Sequence, residues 1–236
     1  KTRKAGYDGR GVLIVNDEKD LEQVFDTPSL VEDKVELLHE IAVIAVRNDQ
    51  GEIKCFDPVQ MDFHAGANML DLLLFPAPID QDLCKQAKAI AETLVEKLEI
   101  CGLLAVEFLI NPSGKIYINE VAPRPHNSGH QTIESCYSSQ YQQHIRGILS
   151  LPLGSTELIL PSAMVNLLGA EGHTGPVKYE GLEDCLSKEG VAVHLYGKKI
   201  TKPFRKMGHV TVTNKDINQA KKIATWVRQT LQVKSH

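Results

Sequence analysis

Residues 118–130, INEVAPRPHNSGH, constrain the fold more tightly than any other stretch of the chain. One carboxylate, one guanidinium, two imidazoles, two side-chain amides, a hydroxyl and two prolines share thirteen positions. Few of these groups can enter an apolar core without partners. Pro123 and Pro125 fix φ and lack a backbone donor, so Ala122 to Asn127 is expected to form a stiff, non-helical turn. Loops on a rigid scaffold carry a disproportionate share of functional side chains, and this one would present Arg124, His126, Asn127 and Ser128. The alternative is a polar loop satisfied by its own hydrogen bonds.

The 236 residues suffice for one large domain or two modest ones. With 42% hydrophobic and 24% charged residues, the chain has the make-up of a soluble globular protein. A formal net charge of −4 argues against nucleic acid as the main partner. No apolar run approaches the ~20 residues needed to span a bilayer, so no membrane role is expected. Five cysteines (Cys55, Cys84, Cys101, Cys136, Cys185) form no CxxC pair, which points to reduced thiols in a cytoplasmic setting. The chain opens on Lys1 rather than Met and reads as a piece lacking an N-terminal portion.

Residues 12–15, VLIV, are expected as a short strand, and Asp17 to Phe25 as a helix capped by Asn16 or Asp17. Glu40 to Asn48 reads as a strand with Ile53–Phe56 as its hairpin partner. Between Gln81 and Leu98, apolar residues recur every three or four positions, the mark of an amphipathic helix. Leu103 to Ile110 and Lys115 to Val121 read as a second hairpin around Asn111-Pro112-Ser113-Gly114. A helix is expected over Thr132 to Leu149, then a break at LPLG, 151–154. Further strands are expected at 162–167, 191–196 and 209–213, and a last helix at 217–231.

A turn centred between Ser113 and Gly114 would set Glu107 opposite Glu120. Like charges facing each other across a ladder are destabilising, so they need a cation or a proton. Mg²⁺ takes one or two carboxylates together with phosphate oxygens and water, and Asn119 could add an oxygen. Solvated glutamates paired with lysines are the alternative.

Gly6-Tyr7-Asp8-Gly9-Arg10-Gly11 is neither a Walker A loop nor a G-x-G-x-x-G fingerprint. Its glycines would still let backbone N–H groups approach an anion, beside the charges of Lys1, Arg3, Lys4 and Arg10. A plain basic surface loop has the same composition.

Taken in order, several strings resemble the ATP-grasp superfamily, in its purine-biosynthetic carboxylating branch. They are GYDGRG (6–11), VEDKVELLHE (31–40), VEFL (106–109), NEVAPRPHNSGH (119–130), SSQYQQHIRGILSLPLG (138–154), MVNLLG (164–169), YGK (196–198) and RKMGH (205–209). The resemblance implies an α+β protein. The C-terminal part of an ATP-grasp fold, an antiparallel sheet with flanking helices, would occupy 1–152, and a small mostly-β domain 153–236. It also implies an ATP-dependent ligase that carboxylates aminoimidazole ribonucleotide with bicarbonate by way of carboxyphosphate. ATP and Mg²⁺, replaceable by Mn²⁺, would be the cofactors, and a homodimer the assembly.

By resemblance, Lys1 and Gly6 to Gly11 would meet the ATP phosphates. Glu32, Asp33, Lys34 and Val35 would form the adenine hinge, Glu40 would bind the ribose, and His64 would lie near the nucleotide. Glu107 and Glu120 would hold metal, with Asn119 beside them. Tyr7, Asp8, Arg10, Arg124, His126, Asn127, Ser128, Lys198 and Arg205 would contact the ribonucleotide. Arg124 is expected as an anion clamp, and His126 as a proton shuttle titrating near neutrality. Two alternatives stay open: a nucleotide-binding piece without catalysis, and a related ligase using formate.

Overall fold

The structure, a computed structural model, describes residues 1–4, 11–63 and 70–236. Residues 12–15 form no strand; among the described residues no neighbouring strand pairs with them, and Val12, Ile14 and Val15 are exposed. The helix expected next shrinks to a 3₁₀ segment, Glu18–Gln23, capped by Asp17 and burying no side chain. Without an apolar face docked on a core, a short helix has little to hold it.

From residue 39 the chain is regular. The first part contains β1 (His39–Arg47), β2 (Ile53–Cys55), β3 (Val59–Phe63), β4 (Leu70–Phe75), α1 (Gln81–Lys97), β5 (Gly102–Ile110) and β6 (Ile116–Ala122). Then come α2 (Thr132–Ser135) and α3 (Gln140–Ile148). The second part contains β7 (Ser162–Leu168), β8 (Gly175–Glu180), α4 (Leu182–Leu186), β9 (Val191–Leu195), β10 (Ile200–Thr201), β11 (Lys206–Thr213), α5 (Ile217–Thr230) and β12 (Gln232–Ser235).

Among the described residues, nine strands form one antiparallel sheet. Eight follow the order β6-β5-β1-β3-β4-β7-β11-β9, and β2 pairs with β1. A small second sheet has the order β10-β8-β12. The main sheet passes through the connection at 151–154 without a break, because Leu72 of β4 pairs with Val165 of β7.

Strand periodicity sorts the side chains into layers. Ile41, Val43 and Ala45 of β1 join Leu104, Val106 and Phe108 of β5 under Ala87, Ala91 and Val95 of α1. The opposite face, with Ala42, Ile44, Leu103 and Ala105, packs against Cys136 and Leu153. Farther along the sheet, Val165, Leu167, Val210 and Val212 lie under Ala220, Ala224 and Val227 of α5. The site grows from the second of these faces. No helix among the described residues is long and apolar enough to cross a membrane.

The helix expected over 132–149 is two helices. Cys136 is extended, and Ser139 starts α3 afresh with a capping box: Gln142 N–H donates to Ser139 Oγ at 3.2 Å, and Ser139 N–H to Gln142 Oε1 at 2.8 Å. The break lets Gln140 enter the core.

Candidate active site

The β5–β6 hairpin turns one half-residue earlier than its spacing suggests. Phe108 pairs with Ile118 and Ile110 with Ile116, so the turn centres on Ser113. Asn111 Oδ1 closes it by accepting from the Ser113 and Lys115 N–H groups at 3.1 and 2.9 Å. A bulge then inserts Asn119, and Glu107 meets Glu120 after all. The expected pair is present, but the bulge sets it, and bulges re-aim side chains. Asn119 is turned toward the carboxylates, where it hydrogen-bonds Glu107 and accepts from Lys1 Nζ at 3.0 Å.

Glu40 lies on the same face, diagonal to Glu107, because Ala42 is the residue of β1 that pairs with Glu107. The Glu107 carboxyl is pushed up to about 7, first by burial and then by Glu120 and Glu40, against a hydrogen bond from Asn119 and the charge of Lys206. Burial and Glu120 raise Glu40 to about 7 as well, with Lys1 opposing. Carboxyls crowded this way favour a bound cation beyond the charges of Lys1 and Lys206. Two carboxylates and an amide oxygen are the donor set of a hard divalent cation, so the residues present fit Mg²⁺. Lys1 also pairs with Glu32 at 2.9 Å, which joins the expected hinge to this cluster. Asp33 and Lys34 continue from Glu32 as exposed chain and Val35 is half-buried; Lys34 Nζ donates to Asn16 Oδ1 at 2.7 Å.

The proline-stiffened turn runs against these carboxylates. His126 Nε2 is 3.4 Å from Glu107 Oε1, and both side chains are 12% exposed. Ser128 N–H donates to His126 Nδ1 at 3.3 Å, so the ring proton sits on Nε2 and faces Glu107. Burial, with Arg124 and Lys206 nearby, lowers the imidazole to about 4. The expected titration near neutrality is corrected accordingly: at pH 7 His126 is a neutral donor. Ser128 is buried, its Oγ 2.8 Å from the same Nδ1.

Two buried amides fix the turn. Gln140 takes the His126 N–H on Oε1 and donates from Nε2 to the His126 carbonyl, both at 2.8 Å. Asn127 and Asn166 exchange hydrogen bonds at 2.9 and 3.0 Å, so Asn127 is tied to β7. A Cβ on Gly129 would collide with Ile44 Cδ1 and lie 2.7 Å from the Gln140 carboxamide. Only glycine lets the turn press this closely on β1 and α3. Arg124 stays exposed and donates to the Pro125 carbonyl at 3.0 Å.

Lys198 donates to the Lys206 carbonyl at 2.6 Å, and the charge of Lys206 reaches Glu107, His126 and His130. Lys198 is thereby brought to the same corner. Arg205 closes its own loop, donating to the Ile200 carbonyl at 2.7 Å. Gln140, Asn166 and Lys206 escaped the reading of the sequence as site residues. The available signals were polar residues at buried helix and strand positions, and a second cation beside Arg205. Gly6, Tyr7, Asp8, Gly9, Arg10 and His64 lie outside the described residues. Gly11 is described, at φ +80°, and accepts the Thr2 N–H at 2.8 Å.

Comparison with known proteins adds to this geometry. The family model for the ATP-grasp domain matches residues 1–141, and that for the phosphoribosylaminoimidazole carboxylase C-terminal domain matches 162–223. The chain is 40% identical over 215 residues to N5-carboxyaminoimidazole ribonucleotide synthase of Bacillus subtilis, covering 89% of this chain and 54% of that protein. The Thermotoga maritima N5-carboxyaminoimidazole ribonucleotide synthetase structure superposes with a TM-score of 0.92 at 45% identity, over 100% of this chain and 62% of that one. The Aspergillus clavatus enzyme, solved in complex with ADP and 5-aminoimidazole ribonucleotide, gives 0.80 at 31% identity, over 89% and 56%. The chain spans about half the length of the curated relatives it matches.

Proposed function

The chain belongs to the ATP-grasp family, and on that premise we propose that its site serves the ATP-dependent carboxylation of 5-aminoimidazole ribonucleotide by bicarbonate. The product would be N5-carboxyaminoimidazole ribonucleotide, with ADP and phosphate released. Residues 1–152 are read as the ATP-grasp part and 153–236 as the C-terminal part; the two family matches fall on either side of that division.

One observation carries the reading. His126 stands 3.4 Å from Glu107, so the turn suited to a planar, phosphorylated substrate abuts the carboxylates suited to a nucleotide-bound metal. Phosphoryl donor and acceptor would then meet without either having to travel.

In the proposed reaction a bicarbonate oxygen attacks the γ-phosphorus and the bond to ADP breaks, giving carboxyphosphate. The exocyclic amine attacks the carboxyl carbon, phosphate departs, and the amine nitrogen loses a proton. Positioning and charge neutralisation lower such barriers more than covalent chemistry does. Glu107 and Glu120 would hold Mg²⁺, with Asn119 supplying an oxygen. Bound there, the ion neutralises the phosphoryl charge. Lys1 reaches toward the phosphates from beside Asn119. Arg124, exposed at the mouth of the turn, offers a guanidinium fork to bicarbonate or carboxyphosphate. Neutral His126, its Nε2 3.4 Å from Glu107 Oε1, would orient that carboxyl. Lys198 brings positive charge for the 5′-phosphate.

The test is phosphate release from ATP with bicarbonate and aminoimidazole ribonucleotide, each omitted in turn. Dependence on all three is expected. Release that needs formate points to the related ligase. A folded chain that binds ADP and releases no phosphate would be a binding module only.

A further inference from the structure

The turn holding Arg124 to Ser128 and the loop holding Lys198 lie far apart in sequence, yet a line of side chains joins them. Gln140, fully buried, holds both backbone groups of His126, and its Nε2 lies 3.0 Å from His130 Nδ1. The His130 ring stacks on His209 with centroids 4.7 Å apart and planes 28° apart. His209 stacks in turn on His194 at 4.4 Å and 11°. Tyr196 ends the line: its hydroxyl is 3.0 Å from His209 Nδ1, and Lys198 Nζ sits 5.7 Å from the centre of its ring.

His209 is the hinge of this line. It is 2% exposed, and its Nε2 has no hydrogen-bond partner among the described residues. Buried polar atoms are ordinarily satisfied, and an apolar side chain would fill the same space without leaving one orphaned. Its neighbour His194 is held separately, with Nε2 2.6 Å from Glu134 Oε1. The bond to Tyr196 is therefore what an imidazole offers at this position and a hydrocarbon does not. Gly197, at φ +70°, then turns the chain so that Lys198 comes back over the Tyr196 ring, where a cation is attracted to the π face.

We propose that His209 is a positioning residue: through the Tyr196 hydroxyl it holds the ring over which the Lys198 ammonium lies, and with the Lys206 carbonyl, which accepts from Lys198 Nζ at 2.6 Å, it sets that ammonium relative to the His126 turn. The two anchors of a phosphorylated, planar substrate are thus spaced by a stack of rings. Naming that substrate rests on the functional reading above; the bridge itself does not.

Two single variants of the full chain test the link from both ends. Tyr196→Phe removes the hydroxyl and keeps a ring beneath Lys198. His209→Phe keeps a ring in the stack and removes Nδ1. Without ligand, the amine-labelling rate of Lys198, read by peptide mass spectrometry, should rise about three- to tenfold in each, the range set by one net hydrogen bond. The double variant should show no further rise, because both changes break the same bond. Affinity for aminoimidazole ribonucleotide should fall by a similar factor while ADP affinity holds.

Unchanged Lys198 labelling in Tyr196→Phe overturns the proposal, and that variant decides alone if His209→Phe does not fold. Additive effects in the double variant, or equal losses of ADP and ribonucleotide affinity, also overturn it. If the unsubstituted chain binds no ribonucleotide, the functional reading fails, and the labelling rates still decide the bridge.

Discussion

Glu107 and Glu120 stand directly opposite one another across the β5–β6 ladder, brought into register by the bulge at Asn119. Opposed carboxylates weaken a hairpin, and this pair has Glu40 beside it as well. A fold that keeps such an arrangement without a cation gives up stability, so metal and nucleotide binding should be coupled to the stability of the sheet.

Glu107→Gln should therefore act in opposite directions on two measurements. By calorimetry, Mg²⁺–nucleotide affinity should fall by roughly 10–100-fold, the scale on which altered metal sites are felt. In thermal unfolding without metal at pH 8, the variant should be more stable by about 0.2–1 kcal/mol, because the like-charge pair is gone. A variant that loses stability and keeps nucleotide affinity would contradict the account.

The pH dependence has a definite sign. Glu107, raised from 4.5 to about 7, binds its proton more tightly in the folded state than in the unfolded one. The stability this confers is full below 4.5 and is lost as pH rises through about 7. Glu40 shares the behaviour, and the two titrate as a coupled set. His126 and His130, lowered from 6.5 to about 4, contribute the reverse: stability present above 6.5 and lost as pH falls through about 4. Subtracting the urea-unfolding free energy of the parent from that of Glu107→Gln isolates the first effect. The difference should grow in the variant's favour between pH 4.5 and about 7 and then level off. A flat difference across that window would count against the crowded-carboxylate picture.

His126→Asn should lower turnover by about 10–100-fold through loss of the imidazole that stands 3.4 Å from Glu107 and orients it. ADP affinity should stay within about twofold, a change of under ~0.5 kcal/mol. Because the imidazole is already neutral, the parent's rate profile between pH 6 and 8 should carry no limb that this substitution removes. Disappearance of a limb near pH 6.5 in the variant would restore His126 as the titrating group.

The Asn127–Asn166 pair offers a stability cycle. Either single change to Leu strands a part-buried amide and should cost ~1–3 kcal/mol in chemical denaturation. Changing both should cost less than the sum of the two, because neither amide is left facing a missing partner, and the lost bond from Asn166 to the Leu70 carbonyl is common to the Asn166 single change and the double one. Strict additivity would show that the reciprocal bonds hold nothing together.

Much of this architecture is legible in the residues themselves. The β-branched, apolar run of β1, the apolar spacing of α1 and the two hairpins are strong local signals. The facing of Glu107 and Glu120 is legible too, although a turn on Ser113 and an inserted Asn119 produce it together. Bulges hide because they change pairing without changing composition. The separation of α2 from α3 was written in Ser139 and Gln142 as a capping box, but apolar periodicity on either side masks it. Strand β4 is leucine-rich and helix-compatible and β3 is short and mixed in polarity, and pairing with β1 and β7 makes them strands. Gln140 and Lys206 act through neighbours distant in sequence. Burial of His126, which lowers its pKa, likewise depends on elements brought together by folding.

The central claim is that bicarbonate, not water, takes the γ-phosphoryl group at the site formed by Glu107, Glu120 and the Arg124–Ser128 turn. The direct measurement is the fate of oxygen-18 from labelled bicarbonate during turnover with ATP and aminoimidazole ribonucleotide. One labelled oxygen in each released phosphate is the predicted result, because the oxygen that attacks phosphorus leaves with it. Phosphate released without label would mean that water attacks instead, and would contradict the account.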